Sequence, residues 1–226
     1  MTKFHPAPEQ LKQFAQGALS PVEAIMISAH CDMCARCQHV VKTETAQQAN
    51  HVLSDSPSNY TEHIRQDLDS MLASITQLPK ARPFRSSRIP PSTIELDGRR
   101  FSVPRTLRKF IPTMGNWSGL VGRLWQAPVD IGASGAANFI YMGPGGGVPE
   151  HTHRGFEFTL VIDGEFDDGI NHYAAGDFIA MDEEHTHTPR SDDPHGCLVF
   201  SVLDQPLHFT SGIARLLNPF SHVFFR

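Results

Sequence analysis

Two histidines and a glutamate lie close together in one stretch of the C-terminal half, Gly145 to Gly164, which reads GGGVPEHTHRGFEFTLVIDG. His151, His153 and Glu157 are two and four residues apart, and side chains at even separations share one face of an extended strand. An unbroken strand would therefore present two imidazoles and one carboxylate together. Such a set of side chains binds divalent first-row metals such as zinc, iron, manganese or nickel.

This stretch resembles the first motif of the cupin superfamily, and the resemblance implies a second motif one hairpin later. Gly176-Asp177 is a turn signal, and the short apolar segment Phe178 to Met181 follows it as a predicted strand. His187 follows at the spacing of the fourth cupin ligand. The resemblance therefore implies a metal centre made of His151, His153, Glu157 and His187.

The second motif is looser than the first. Its proline and second glycine are replaced by Asp182 and Glu184. His185 is a rival to His187, because it lies two residues away on the same face of a strand. The alternative interpretation is a chance cluster of surface histidines in a chain that contains 13 of them.

A second group of possible metal ligands lies near the N-terminus. His30, Cys34 and Cys37 are separated by four and three residues, so on a helix they share one face within two turns. This set lacks one ligand for tetrahedral zinc, and His5 supplies it if the first helix packs antiparallel to the second. Cys31 points about 100° away on a helix and is left out. A thioredoxin-like thiol pair and ordinary buried thiols are the alternatives, but no βαβ pattern surrounds the pair.

The elements that would position the N-terminal group are helical. Ser20, Pro21 and Glu23 form a helix start signal, with a capping serine, a proline at the first helical position and a glutamate three residues after the cap. The predicted helices are Pro8 to Leu19, Pro21 to Cys37 or beyond, Ala46 to Leu53 and Tyr60 to Leu78. Four short helices bury a thin core, which a metal or a partner would stabilise.

The C-terminal part has the pattern of a β protein. After a Pro- and Arg-rich linker over residues 81–105, which includes the hairpin signal Asp97-Gly98, short apolar segments alternate with turn residues. The predicted strands are Trp117 to Trp125, Ala137 to Met142, Phe156 to Ile162, Phe178 to Met181 and Leu198 to Leu203. This succession favours a small barrel or jelly roll, and the apolar last twenty residues would cover it or a partner surface.

Composition limits the function classes. A net charge of −5 over 226 residues argues against direct binding of nucleic acid. The chain has no apolar run of membrane-spanning length and no signal-peptide pattern, so we expect no membrane association and a cytoplasmic location. In that compartment, three of the four cysteines within seven residues indicate metal or redox chemistry rather than disulfides.

The two halves together resemble the ChrR family of zinc anti-sigma factors. The matching residues are His5-Pro6, Leu11, Phe14, Gly17, Leu19, the segment His30 to Cys37, His151, His153, Glu157 and His187-Thr188-Pro189. The resemblance implies a two-domain α + β fold. A small helical bundle over residues 1–80 would hold zinc through His5, His30, Cys34 and Cys37 and would bind an extracytoplasmic-function sigma factor. A cupin domain over residues 106–226 would bind zinc or another divalent metal and respond to singlet oxygen or organic peroxides, without catalysis.

Two other functions remain open from the sequence. Three histidines and a glutamate also hold iron in mononuclear cupin dioxygenases, and a metal-dependent isomerase or small-ligand module would need an open polar pocket. The N-terminal cluster discriminates, because a stand-alone cupin oxygenase has no evident need of it. His185 and Cys197 are predicted neighbours of the cupin site. A helical domain without its partner is also expected to self-associate through apolar faces.

Overall fold

The structure is a computed structural model that describes residues 2–54, 62–79, 92–120, 123–210 and 212–220. Four helices precede fifteen short strands. The helices are α1 (Pro8–Gln16), α2 (Pro21–Met33), α3 (Ala35–Ser54) and α4 (Glu62–Gln77), and 3₁₀ segments cover Arg105–Thr113 and Gly212–Phe220. The predicted order of a helical part followed by a β part is therefore confirmed.

Local signals explain where the first two helices begin and end. Gln10 Oε1 accepts a hydrogen bond from Ala7 N at the start of α1, and Gly17 ends this helix with a left-handed φ of 69°. Ser20 Oγ caps α2 by accepting from Glu23 N at 3.3 Å. The predicted start of the second helix is correct, whereas the first helix ends before the predicted Leu19, because its residue 17 is glycine.

The predicted continuation of the second helix through Cys37 is wrong. Cys34 has φ −121° and ψ 99°, so α2 ends at Met33 and α3 begins at Ala35. Cys34 N still donates to His30 O, and Cys34 O accepts from Gln38 N, so little hydrogen bonding is lost at the break. The break allows α3 to pack on α1 while α2 contacts the β part. The predicted separate helix from Ala46 to Leu53 is part of α3.

The fourth helix is present as predicted but lies apart from the core. Its apolar residues recur at helical spacing on one face, and they are 45–59% exposed. They are Ile64, Leu68, Met71, Leu72 and Ile75. Of the residues that the structure describes in α4, from Ile64 onward, none is buried. An apolar helical face left in water usually marks an interaction surface.

The β part consists of antiparallel sheets. Its strands are β1 (Thr93–Leu96), β2 (Arg99–Ser102), β3 (Ser118–Leu120), β4 (Leu124–Val129), β5 (Ala136–Met142), β6 (Gly146–Gly147), β7 (His151–Thr152), β8 (Glu157–Asp163), β9 (Glu165–Asp167), β10 (His172–Ala174), β11 (Phe178–Met181), β12 (Thr186–His187), β13 (Arg190–Ser191), β14 (Cys197–Leu203) and β15 (His208–Phe209).

The strands form a cupin-like sandwich rather than a closed barrel. A six-stranded sheet has the order β11-β8-β14-β5-β4-β3, and a four-stranded sheet has the order β10-β9-β13-β6. A three-stranded sheet, β12-β7-β15, and the hairpin β1-β2 complete the β part. The jelly-roll prediction is thus confirmed and the barrel alternative is wrong, because the end strands of the six-stranded sheet do not pair with each other.

One apolar cluster extends from the helices into the sandwich. Leu11, Met26 and Cys37 belong to the same buried cluster as Phe139 and Phe200, whose rings lie 5.0 Å apart. Polar contacts reinforce the junction of α2 with the 3₁₀ segment, where Ser28 Oγ and Thr106 Oγ1 lie 2.8 Å apart and Asp32 accepts from Thr106 N. The helices therefore do not bury their thin core alone.

Three details of the β part differ from or refine the predictions. The predicted strand from Trp117 to Trp125 is two strands, β3 and β4, with Arg123 in a left-handed turn conformation at φ 57°. The hairpin predicted around Asp97-Gly98 is present, and it buries Phe101. Residues 81–91 of the linker lie outside the described residues. At the C-terminus Phe209 pairs with His151 through β15, while Leu216 is exposed.

Among the helices in the described ranges, none has both the length and the apolar character needed to cross a membrane.

Candidate metal centres

The cupin residues come together from three short strands. His151 lies in β7, Glu157 begins β8 and His187 lies in β12, where it is the register partner of His151. The chain leaves the strand at His153 and bends through Arg154 and Gly155, so the three side chains converge without sharing one unbroken strand. Phe156 N donates to Asp204 Oδ1 at the end of this bend, at 2.8 Å. The ligand-type atoms of His151, His153, Glu157 and His187 lie within 4.8 Å of one another.

The imidazoles meet through their Nε2 atoms. His187 Nε2 lies 2.9 Å from His151 Nε2 and 3.1 Å from His153 Nε2. His151 Nδ1 faces the carbonyl of Pro149 at 2.8 Å and therefore carries the hydrogen, which leaves a lone pair on Nε2. All three side chains are buried, so no bulk water separates these nitrogens.

Burial favours the neutral form of two of the histidines. Burial, followed by the facing His187, lowers the pKa of His151 to about 3, and burial also lowers the pKa of His153. Burial opposes ionisation of Glu157, but the surrounding imidazoles, His153 first, outweigh it and leave the pKa of the carboxyl lowered. One hydrogen on His187 Nε2 can satisfy only one of the two nitrogens that face it, whereas a cation between the three nitrogens and the carboxylate would satisfy them all. The donor set therefore fits a divalent metal.

The sequence pattern missed the groups that orient Glu157. Glu157 Oε1 accepts from Thr159 Oγ1 at 2.7 Å and from Ser201 Oγ at 2.9 Å. Both hydroxyls lie on sheet strands, β8 and β14, and Thr159 pairs with Ser201 in the register of these strands. Thr159 is two residues after Glu157 on the same strand face, so alternation was a usable signal for it. The position of Ser201 depends on strand pairing and left no local signal.

Asp168 lies behind His187. It is a buried carboxylate, and its Oδ2 accepts from Tyr173 OH at 3.1 Å and lies 3.7 Å from His187 Nδ1. His187 Nδ1 is buried without a hydrogen-bond partner among the described residues. A carboxylate facing the outer nitrogen of a ligating histidine is a common way to orient the ring toward a metal.

The two predicted neighbours do not join this centre. His185 is partly exposed, and its Nδ1 pairs with Asp182 Oδ1 at 2.7 Å. Cys197 is buried. Burial, followed by the charges of Asp163 and Asp193, raises the pKa of its thiol. Neither side chain belongs to the group of four, although His185 is close enough to His153 to contribute to lowering the pKa of that residue.

A small apolar cavity adjoins the cupin centre. It has a volume of about 40 Å³, and its walls include Met142, Phe166 and Met181 beside His151 and His187. One water occupies 10–15 Å³ on the same measure, so the cavity holds a few atoms at most. A molecule of diatomic size fits this space.

The N-terminal residues also converge. His5 Nδ1 lies 3.4 Å from His30 Nε2, 3.5 Å from Cys34 Sγ and 3.4 Å from Cys37 Sγ. His5 thus occupies the position that the incomplete set of three required. Cys31 is not part of the group, as expected.

The chemistry of this second set fits zinc. His30 Nδ1 donates to Gly176 O at 2.8 Å, so its Nε2 lone pair faces the group. Burial lowers the pKa of His30 to about 4, and burial followed by Cys34 raises the pKa of Cys37 to about 12. Two sulfurs and two imidazole nitrogens in contact form a structural zinc set, and a metal that binds there displaces the thiol protons.

Comparisons with known proteins agree with both halves of the chain. Residues 116–206 match the ChrR Cupin-like domain family. Anti-sigma-E factor ChrR of Cereibacter sphaeroides is 28% identical over 224 residues, which cover 98% of this chain and 99% of that protein. The crystal structure of Rhodobacter sphaeroides SigE in complex with the anti-sigma ChrR aligns with a TM-score of 0.66 at 23% identity, over 90% of this chain and 100% of that one. The resemblance to ChrR is therefore confirmed over nearly the whole chain.

Proposed function

We propose that this chain, which contains a ChrR cupin-like domain and resembles ChrR over nearly its whole length, is an anti-sigma factor. Its partner is an extracytoplasmic-function sigma factor, which the chain keeps from RNA polymerase. The compartment is then the cytoplasm, where the polymerase acts. The role is that of a regulator, not of an enzyme.

The observation that carries the proposal is the apolar face of α4. Five apolar side chains at helical spacing on this helix are about half exposed. None of the α4 side chains that the structure describes is buried. Ordering this helix without burying that face is unfavourable, so a partner must cover it. The relative whose solved structure this chain resembles is itself bound to a sigma factor.

The N-terminal metal centre supports the same role. His5, His30, Cys34 and Cys37 would hold zinc, and this zinc would connect the segment before α1 to the ends of α2 and α3. The binding free energy of a structural zinc is large compared with the stability of a small helical unit. Zinc would therefore maintain the arrangement of helices that the sigma factor recognises.

The cupin centre is the proposed sensor. His151, His153, Glu157 and His187 would hold zinc or another divalent metal, and the adjacent cavity of about 40 Å³ admits a molecule of diatomic size. Singlet oxygen fits this space, and the thioethers of Met142 and Met181 in its wall are oxidisable. We assign the signal to singlet oxygen or the terminal oxygens of an organic peroxide.

Co-purification tests the proposal directly. The chain is co-expressed with the short, two-domain sigma factor encoded beside its gene, and the complex is isolated by size-exclusion chromatography. Leu68→Glu should abolish the complex, since it places a charge in the apolar face. Ser70→Glu is the matched control, because Ser70 lies on the opposite side of the same helix and should have no effect.

The outcomes separate the possible occupants of the α4 face. A one-to-one complex that inhibits transcription by the sigma-containing polymerase supports the proposal. A homodimer that Leu68→Glu disrupts, with no affinity for the sigma factor, would assign the face to a second copy of the chain. Oxygen consumption by the metal-loaded protein would instead favour the dioxygenase.

A further inference from the structure

One turn of the sandwich contacts a proposed N-terminal metal ligand and leads into the strand that reaches the cupin centre. This turn, Ala174 to Asp177, joins β10 to β11. The Gly176 carbonyl accepts the hydrogen bond from His30 Nδ1, 2.8 Å away. The strand that follows the turn ends at Met181, which is the register partner of Glu157. The turn therefore lies between a ligand of one centre and a neighbour of a ligand of the other.

Asp177 fastens the residues before His5 to this turn. Its carboxylate is fully buried, with Oδ1 accepting from Lys3 N at 2.6 Å and from Phe4 N at 3.0 Å. Its Oδ2 accepts from Ala174 N at 2.9 Å, and Phe178 N donates to Phe4 O at 3.0 Å. The backbone next to His5 is thus held by the sandwich and not by the helices.

A second path runs through side chains. The Phe4 ring packs on the Tyr173 ring with centroids 4.6 Å apart. Tyr173 OH donates to Asp168 Oδ2, which lies 3.7 Å from His187 Nδ1. Only Phe4, Tyr173 and Asp168 separate the backbone of His5 from the imidazole of His187.

These contacts have fixed geometry because they are buried. Asp168 accepts three further backbone hydrogen bonds, from Ile170 N and Asn171 N to Oδ1 and from Thr188 N to its carbonyl. Phe4 packs against the apolar cluster that includes Phe166 and Met181, which also line the cupin cavity. A displacement of His187 or of the cavity wall is therefore transmitted to Tyr173 and Phe4 through these packed contacts.

We propose that Asp168, Tyr173 and Asp177 are positioning residues that couple the two metal centres. When the cupin residues are held in their metal-binding arrangement, His187, Asp168 and Tyr173 keep Phe4 in place, and Asp177 and Gly176 keep His5 and His30 in position for the N-terminal metal. Loss of the cupin arrangement loosens the N-terminal ligands, and the coupling acts equally in the reverse direction. The inference rests on the two proposed metal sites and not on the identity of the partner.

Cobalt provides a readout that distinguishes the centres. Only the N-terminal set contains sulfur, so thiolate-to-cobalt absorption in the near ultraviolet reports on that centre alone. The full-length protein is loaded with two Co²⁺ per chain, and the loss of this absorption is followed after addition of excess chelator. Two variants that damage the cupin centre are prepared, Glu157→Gln and Glu157→Gln combined with His153→Ala. Metal analysis identifies which of them holds one Co²⁺ per chain, and the rate is then measured in that variant.

The proposal expects the N-terminal cobalt to leave at least about fivefold faster in the one-metal variant, at the low end of typical coupling between sites. In a Tyr173→Phe background, which keeps the ring on Phe4 but removes the hydrogen bond to Asp168, this ratio should fall toward one. Tyr141→Phe is the matched control, because its hydroxyl donates to His195 O, away from Asp168, and the ratio should persist.

Two results would overturn the coupling. One is an equal rate of cobalt loss in the wild type and in the one-metal variant. The other is a ratio that Tyr173→Phe leaves unchanged while circular dichroism shows all proteins folded. A wild type that binds fewer than two metals would contradict the metal sites themselves, and metal analysis detects this before any rate is measured.

Discussion

The His30 imidazole and the Gly176 carbonyl form a buried hydrogen bond of 2.8 Å that joins the helical part to the β sandwich. This contact sets the tautomer of His30, because a nitrogen that faces a carbonyl must carry the hydrogen. The other nitrogen is then free to bind a metal together with His5, Cys34 and Cys37. A backbone group 146 residues away in the chain thus orients one histidine of the N-terminal candidate metal group.

We expect Cys37→Ser to remove one metal per chain and to abolish sigma binding. A serine hydroxyl is a poor substitute for a thiolate, and an unfilled set leaves the ends of α2 and α3 without their common anchor. Metal analysis and the co-purification assay measure the two effects. Cys31→Ser is the control, since Cys31 lies outside the group, and it should keep both metals. Full sigma binding by Cys37→Ser would show that metal is not needed for recognition.

Removal of the hydroxyls that orient Glu157 should weaken the cupin centre without removing a ligand. Thr159→Val and Ser201→Ala each delete one hydrogen bond to Oε1. Loss of such supporting contacts typically lowers metal affinity by about 10–100-fold. Competition with a chelator measures the affinity, and Ser118→Ala, on an exposed strand, is the control. An unchanged cupin affinity in both variants would mean that Glu157 does not ligate through this carboxylate.

The shared core should make Phe200 one of the most sensitive positions. Its ring is fully buried against Phe139, so Phe200→Ala should lower the free energy of unfolding by about 3–5 kcal/mol. Urea denaturation followed by circular dichroism measures the change. Leu216→Ala, at a position that is 71% exposed, should change the stability by less than about 0.5 kcal/mol. Similar effects at the two positions would contradict the assigned core.

The turn at Gly164 should tolerate no side chain. Its φ is 76°, and a Cβ there would lie 2.1 Å from Gly196 O. Gly169 has a similar φ of 86° but has no atom within 4 Å of the corresponding position. Gly169→Ala should therefore cost only the left-handed backbone penalty, about 1–2 kcal/mol, and Gly164→Ala clearly more. The difference in urea midpoint isolates the clash, and equal midpoints would argue against this packing of β8 and β14.

Patterns of residue type and spacing predicted much of the fold and most of both candidate sites. Capping residues located the start of α2, and apolar spacing located α4. The Asp97-Gly98 signal located the hairpin β1-β2. The eight proposed metal ligands were all named in advance, because metal-binding side chains in short motifs are rare enough to be recognised without a structure. These features depend on neighbours within a few residues, so the local sequence contains the relevant information.

The way in which the ligands converge was decided by tertiary structure. Nothing in the residues around Cys34 indicates a helix break, which arises because α3 packs on α1 while α2 packs on the sandwich. Likewise the chain bends after His153, and Glu157 is oriented by Ser201 from a strand 44 residues away. His185 was a rival to His187 by spacing, but it pairs with Asp182 and stays outside the group of four.

By itself the sequence therefore determined which residues are candidate ligands and which segments are helices or strands, since these depend on local propensity and spacing. Only the tertiary structure decided that Gly176 and Asp177 of the sandwich hold His30 and the backbone before His5, and that Tyr173 and Asp168 connect this region to His187. Such contacts join residues far apart in the chain. They follow from the packing of whole elements, which no short stretch of residues specifies.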